Sequence, residues 1–244
     1  MKFAGIIAEY DPFHNGHAWQ LAQAKALGAE RVAVAMSCSL VQRGALPLLP
    51  EAVRTRSALT CGADLVFALP APCACAGAEA FARAGVALLA AAGCDGLVFG
   101  AETPDAALLM EAAELLDSGS YRAALKAQLA GGARSFAAAR QAAAAQLASD
   151  ERVAALLDKP NNNLAVEYCR AIRSLAPRME AYPLPRQGAN HGEALHSAHG
   201  QFASASALRK LWAEGGADAV APYVPEAVFP LYQAANAAGQ STEF

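Results

Sequence analysis

Short apolar runs alternate with helix-period stretches through the first hundred residues. Phe3 to Ala8 is a compact apolar run ending in a turn at Pro12, the pattern of a buried strand. His17 to Leu27 follows with helical character. The alternation repeats as a strand over Arg31 to Met36, a helix over Glu51 to Cys61, a strand over Asp64 to Ala68 and a helix over Ala78 to Ala91. Gly93-Cys94-Asp95-Gly96 then turns the chain into a fourth strand, Leu97 to Gly100. Strands this short and apolar, each followed by a helix, predict a parallel sheet covered on both faces. From Pro104 to about Leu157 the pattern is wholly helical and Ala-rich, and reads as a structural insertion. Lys159-Pro160-Asn161-Asn162-Asn163 reads as a polar turn before a helix over Leu164 to Leu175. Glu180 to Pro183 is a candidate fifth strand, and Gln187 to Gln201 a Gly- and His-rich loop. Ser204 is placed to N-cap a helix through Lys210, and the tail from Gly215 is less patterned. The expected fold class is α/β: a Rossmann-like parallel sheet of about five strands flanked by helices. Residues 1–210 form its domain, 104–157 the helical insertion, and 211–244 the start of a C-terminal helical region.

Composition narrows the class. The 244 residues are 55% hydrophobic and 17% charged, which marks a globular chain with material for a real core. No run resembles a secretory or membrane-spanning segment, so a cytoplasmic protein with no membrane partner is expected. The net charge of −3 lacks the basic footprint of a nucleic-acid binder. Six cysteines are scattered without a C-x-x-C pair, which reads as buried small hydrophobes; Cys73-Ala-Cys75 alone is too little for a metal site. His191, His196 and His199 are irregularly spaced among glycines and read as part of a loop, so no metal ligands are assigned.

Chemistry concentrates where the first strand ends. Gly5-Ile6-Ile7-Ala8-Glu9-Tyr10-Asp11-Pro12-Phe13-His14-Asn15-Gly16-His17 runs from strand through turn into an H-x-G-H tetrapeptide at a helix start. A helix N-terminus offers backbone N–H groups and a positive dipole end to phosphate. His14 and His17, three apart, can lie on one face of the first turn and donate to phosphate oxygens as charge builds up. Gly16 lacks a Cβ, which would let a nucleotide approach the backbone. The pattern points to attack on the α-phosphorus of a nucleoside triphosphate. Ser204, Ser206 and Arg209 form a second phosphate-type cluster, able to clamp the β- and γ-phosphates from the other side.

These elements occur in one order with Met36-Ser37, Gln42-Arg43-Gly44, Phe99-Gly100, Lys159-Pro160-Asn161-Asn162 and Ser204-Ala205-Ser206-Ala207-Leu208-Arg209-Lys210. Together they resemble the bacterial tRNA(Met) cytidine acetate ligase family, within the H-x-G-H nucleotidyltransferases. The resemblance implies that ATP and acetate form acetyl-adenylate with release of pyrophosphate. The acetyl group then passes to the wobble cytidine of elongator tRNA(Met), though this acidic chain alone is expected to hold tRNA weakly. It implies His14 and His17 as the catalytic pair. It also implies a nucleotide site of Ile7, Ala8, Glu9, Tyr10, Asp11, Pro12, Phe13, Asn15, Gly16, Gln20, Gly100, Asn161 and Arg186, with Ser206 and Arg209 on the leaving pyrophosphate. Arg186 and Asn161 on their own read as a loop arginine and a turn; the resemblance promotes them. Mg²⁺ is expected to accompany ATP through phosphates and water. The sequence departs from the family's usual pattern at Asp11, where Asn is common, and at Glu51, where a Lys usually stands three residues before Arg54. A charge at Asp11 should disfavour ATP unless it is paired. Two other readings stay open: a nucleotidyltransferase acting on a small phosphorylated metabolite, and a non-catalytic nucleotide-binding relative.

Overall fold

The computed structural model describes residues 1–42, 44–133, 135–186, 195–197 and 200–242, with only the backbone of 195–197, 200 and 201. Five strands, β1 (Phe3–Ala8), β2 (Arg31–Ser37), β3 (Leu65–Leu69), β4 (Gly96–Ala101) and β5 (Glu180–Pro185), form one sheet in the order β3-β2-β1-β4-β5. Every pairing is parallel, with Phe3 opposite Arg31, Ala33 opposite Leu65, Ala4 opposite Gly96 and Gly96 opposite Glu180. The order reverses between β1 and β4. A crevice opens at such a switch point beyond the carboxyl ends of the strands, where ligands bind in open α/β sheets.

Helices α1 (Asn15–Ala26), α2 (Glu51–Thr60), the short α3 (Ala71–Ala74) and α4 (Ala78–Ala91) connect the strands. Alternation along β2 sends Ala33 and Ala35 to one core and Val32, Val34 and Met36 to the other. The first core packs α4 against β1 closely enough that a Cβ on Gly85 would meet Ile7 Cδ1 at 2.5 Å. The 104–157 stretch is α5 (Ala106–Asp117), α6 (Gly119–Ala130), α7 (Phe136–Leu147) and α8 (Glu151–Leu156), whose apolar faces extend this first core. Asp105, Ser118, Ser135 and Asp150 each accept a backbone N–H at the start of one of these helices, so side-chain caps divide what reads in sequence as one helical stretch.

Three expectations are corrected. The polar turn at Lys159–Asn163 is the first turn of α9 (Pro160–Leu175): Pro160 sits where a missing N–H costs nothing, and neighbouring side chains hold the Asn residues in helix. The 187–201 loop contains a short antiparallel pair, β6 (Leu195–Ser197) and β7 (Gly200–Phe202); His191 and His199 lie outside the described residues. The tail beyond Gly215 is ordered. α10 (Ala205–Val220) kinks at Gly215 and Gly216, and α11 (Phe229–Ala237) follows a 3₁₀ turn. Trp212, Val220, Val228 and Tyr232 are buried in the same core as Ile6, Leu21 and Val34, so this segment packs directly against the sheet. Among the described residues no helix is long and apolar enough to cross a membrane.

Candidate active site

His14 is the N-cap of α1, in extended conformation, and His17 is the third residue of its first turn. The two therefore do not share a helical turn as the spacing suggests, yet their rings stack with centroids 3.8 Å apart. Gly16 N–H donates to His14 Nδ1 at 3.0 Å, and His14 N–H donates to His17 Nδ1 at 3.3 Å. These bonds fix both tautomers. A ring whose Nδ1 accepts a hydrogen bond carries its proton on Nε2 when neutral. The helix start thus presents two imidazole Nε2–H donors. The Gly16 N–H, expected to face phosphate, is spent on aiming one of them. Gly16 is required for the same reason: a Cβ there would lie 2.9 Å from His14 Cε1 and 3.1 Å from its Nδ1. The close approach is made by the protein's own ring.

Both histidines are held neutral. Burial, reinforced by the positive charge of Arg186, lowers the His14 pKa to about 4. His17 is likewise held well below the ordinary imidazole value, by burial first, then by His14 and by Arg186. Each ring is a neutral donor at physiological pH.

The turn before the helix is clamped from three elements. Tyr10 holds a left-handed φ of 51°, uncommon for a bulky residue, with its ring edge-on to Phe13 at 4.9 Å and to His17 at 4.8 Å. Asp11 is 4% exposed; its Oδ1 accepts Leu48 N–H at 2.6 Å and its Oδ2 lies 3.0 Å from Arg209 Nη1. The negative charge that sequence places beside the phosphate site is therefore paired. Arg209 Nη1 also donates to Asp11 O at 2.7 Å, and Tyr232 Oη to Phe13 O at 2.6 Å. From the other side Arg54, fully buried, donates to the carbonyls of Leu49, Glu9, Ser37 and Cys38. Burial pulls its pKa down, with Asp11 the largest opposing charge. One guanidinium thus joins the residues following β1 to the carboxyl end of β2. Glu51 lies near the Cys38 thiol, whose pKa is raised by burial first and Glu51 second.

A cavity of about 280 Å³ opens at the switch point. Of the residues expected from sequence, it brings together Ile7, His14, Gly16, His17, Gln20, Gly100, Asn161 and Arg186. Ala8, Glu9, Tyr10, Asp11, Pro12, Phe13 and Asn15 do not line it. Tyr10, Asp11, Pro12 and Phe13 are buried supports, Glu9 Oε1 accepts Gln42 N–H at 2.5 Å, and Asn15 Nδ2 donates to Pro222 O. Ser206 and Arg209 also lie off the wall, Ser206 Oγ being 3.1 Å from Ser204 Oγ and Arg209 bound to Asp11. Ala203, Ser204 and Ala205 take the place expected of Ser206, so the wall opposite the histidines is the start of α10 itself. Sequence reasoning missed Phe99, Leu164, Tyr168 and Leu184. Leu164 and Tyr168 follow Asn161 by three and seven residues, on one helix face, and that spacing was the available signal. Among the described residues no carboxylate lines the cavity, and no group of three His, Cys, Asp or Glu side chains could hold a metal ion.

A strand end, a pair of neutral histidines at a helix start, an arginine and a second helix start surround one cavity, an arrangement whose chemistry suits a phosphorylated ligand. The family model for HIGH nucleotidyl transferase matches residues 1–243. The chain belongs to that family. Within the HIGH nucleotidyl transferases it is 41% identical over 218 residues to the tRNA(Met) cytidine acetate ligase of Syntrophotalea carbinolica, covering 88% of this chain and 52% of the relative. It is 35% identical over 244 residues to the enzyme of that name from Caldanaerobacter subterraneus subsp. tengcongensis, covering 98% and 60%. Among solved structures it superimposes on Thermotoga maritima TmcAL bound with alpha-thio ATP with a TM-score of 0.88. That pair is 30% identical, over 99% of this chain and 57% of that one. The apo form of the same protein gives a TM-score of 0.90 at 31% identity. The chain thus spans between half and two thirds of the length of these relatives.

Proposed function

We propose that this HIGH nucleotidyl transferase binds ATP in the switch-point cavity and adenylylates acetate, releasing pyrophosphate, as the first half of acetyl transfer to the wobble cytidine of tRNA(Met). The observation that carries this reading is the pair of neutral, tautomer-fixed histidines stacked at the start of α1. Two neutral Nε2–H donors can follow the charge that grows on the α-phosphate oxygens as the carboxylate attacks, without gaining or losing a proton themselves. Arg186 supplies fixed positive charge at the same wall, and the start of α10 a second positive dipole end for the leaving pyrophosphate.

Gln20, tied to Val98 O at 3.1 Å, and Asn161 belong to the nucleoside end of the cavity in this reading. Arg209, through Asp11, holds the histidine turn in place; release of Asp11 would make the guanidinium available to the β- and γ-phosphates. Mg²⁺ suits the triphosphate rather than the protein here, because the described residues of the cavity wall offer no carboxylate; it would be held by phosphate oxygens and water and lend charge neutralisation. The acceptor is proposed from the names of the relatives. The net charge of −3 predicts weak tRNA binding by this chain alone; tight, steeply salt-dependent binding would refute that.

Pyrophosphate release from ATP, measured with acetate and with a panel of phosphorylated metabolites, tests the reading. Release that requires the carboxylic acid supports it. Release that requires a phosphate ester favours the metabolite nucleotidyltransferase, and ATP binding without release under any condition favours a non-catalytic relative.

A further inference from the structure

The start of α9 is closed by a group that the proposed reaction does not use. Glu102, just beyond β4, lies against the first turn of that helix. Its Oε1 accepts Asn161 N–H at 3.2 Å and Asn161 Nδ2 at 2.6 Å, and its Oε2 accepts Asn162 N–H at 2.7 Å. Thr103 N–H donates to Asn162 Oδ1 at 2.9 Å, and Asn162 Nδ2 to Thr103 Oγ1 at 3.2 Å. Five hydrogen bonds thus join the end of β4 to the end of α9 that borders the cavity. The carboxylate occupies the place an anion would take at this helix start, so a bound phosphate belongs elsewhere in the cavity.

The same bonds settle which way the Asn161 amide faces. A carboxylate only accepts, so the amide nitrogen must be the atom turned to Glu102. Oδ1 is then the other end of the amide, and among the described residues it has no hydrogen-bond donor, although Asn161 lines the cavity.

We infer that Glu102 is a positioning residue that fixes Asn161 as a hydrogen-bond acceptor for a donor group on the bound nucleoside, and so sets nucleotide selectivity. The shared chemistry is an N–H or O–H donor, supplied either by the exocyclic amine of an aminopurine or by a ribose hydroxyl. Without Glu102 the amide can turn over and offer its NH₂ instead, and the site then accepts analogues it had rejected. The inference rests on nucleotide binding in this cavity.

The test is equilibrium binding to the full chain of ATP, 2′-deoxy-ATP, 3′-deoxy-ATP and purine riboside triphosphate, which lacks only the amine. Wild type is expected to bind one analogue three- to tenfold more weakly than ATP, about what one neutral hydrogen bond contributes. Which analogue it is separates amine from hydroxyl. Glu102→Ala and Asn161→Ala are each expected to bring that ratio close to one. Glu102→Gln, with a single acceptor for three donors and the gentlest change of shape, should fall between. A ratio that survives both alanine substitutions overturns the inference, as does equal weakening of all four ligands in Glu102→Ala, which a purely structural role would give. Equal binding of all four by wild type overturns it too, while leaving the nucleotide site standing. Absence of ATP binding by wild type overturns the proposed function itself.

Discussion

Gly16→Ala separates catalysis from folding at a single atom. Its Cβ would sit 2.9 Å from His14 Cε1 and 3.1 Å from Nδ1, closer than van der Waals contact allows. The ring cannot retreat along the stack, because His17 lies 3.8 Å away centroid to centroid. It must leave its rotamer, at roughly 0.5–1.5 kcal/mol, and it weakens the 3.0 Å bond from Gly16 N–H, worth about 1 kcal/mol. Alanine in a helix returns up to about 1 kcal/mol. Net stability should therefore fall by only about 1 kcal/mol. Catalysis should suffer far more, because the misaimed Nε2–H is a donor of the kind whose loss typically lowers kcat by roughly 100- to 1,000-fold. Urea denaturation and acetate-dependent pyrophosphate release on the same preparation give both numbers. A variant with wild-type turnover would refute the argument that Gly16 exists to seat His14. A variant that loses several kcal/mol would show that the clash is absorbed by the fold instead.

Other consequences follow from the same contacts. Arg54→Met leaves four carbonyls at the strand ends without their buried donor and should cost on the order of 3 kcal/mol or more by denaturant titration. Arg54→Lys should rescue little of it, since one ammonium cannot span that fork. Tyr232→Phe keeps the buried ring and loses only the bond to Phe13 O. It should cost about 1 kcal/mol in stability and lower kcat more than it raises KM, because it loosens the histidine turn from the far end of the chain. For His14, whose folded pKa is depressed to about 4 from an ordinary 6.5, the unfolded chain binds more protons between those values. Stability should then be level above pH 6.5 and fall as pH drops toward 4, by on the order of 1–2 kcal/mol allowing for solvent access at the cavity wall. The pH–rate profile should show no inflection near 6.5 from this residue; such an inflection in wild type, abolished by His14→Ala, would contradict a neutral donor.

The sheet was legible because its strands are short, apolar and regularly interrupted; Phe3–Ala8 and the helix Ala78–Ala91 end where periodicity says they do. Asn161 was misread as part of a turn because Pro and three Asn residues are turn formers by local preference. The carboxylate that holds Asn161 and Asn162 in helix is that of Glu102, 59 residues before Asn161. Ser206 and Arg209 carry the right chemistry at the right spacing. Burial of Asp11 decides that Arg209 faces the turn, and no spacing rule registers that pairing. The wall residues Phe99 and Tyr168 look in sequence like ordinary core, and only the crevice between β1 and β4 gives them a ligand to face. The tail defeated periodicity because Gly215 and Gly216 break α10, although Trp212 and Tyr232 on either side are core residues.

The central claim is that this cavity adenylylates a carboxylic acid. The most direct measurement is acetate-dependent exchange of labelled pyrophosphate into ATP, with His17→Ala as the control. Exchange that requires acetate and disappears in the variant is the predicted result. Exchange that proceeds equally without acetate, or that survives loss of His17, would contradict the account.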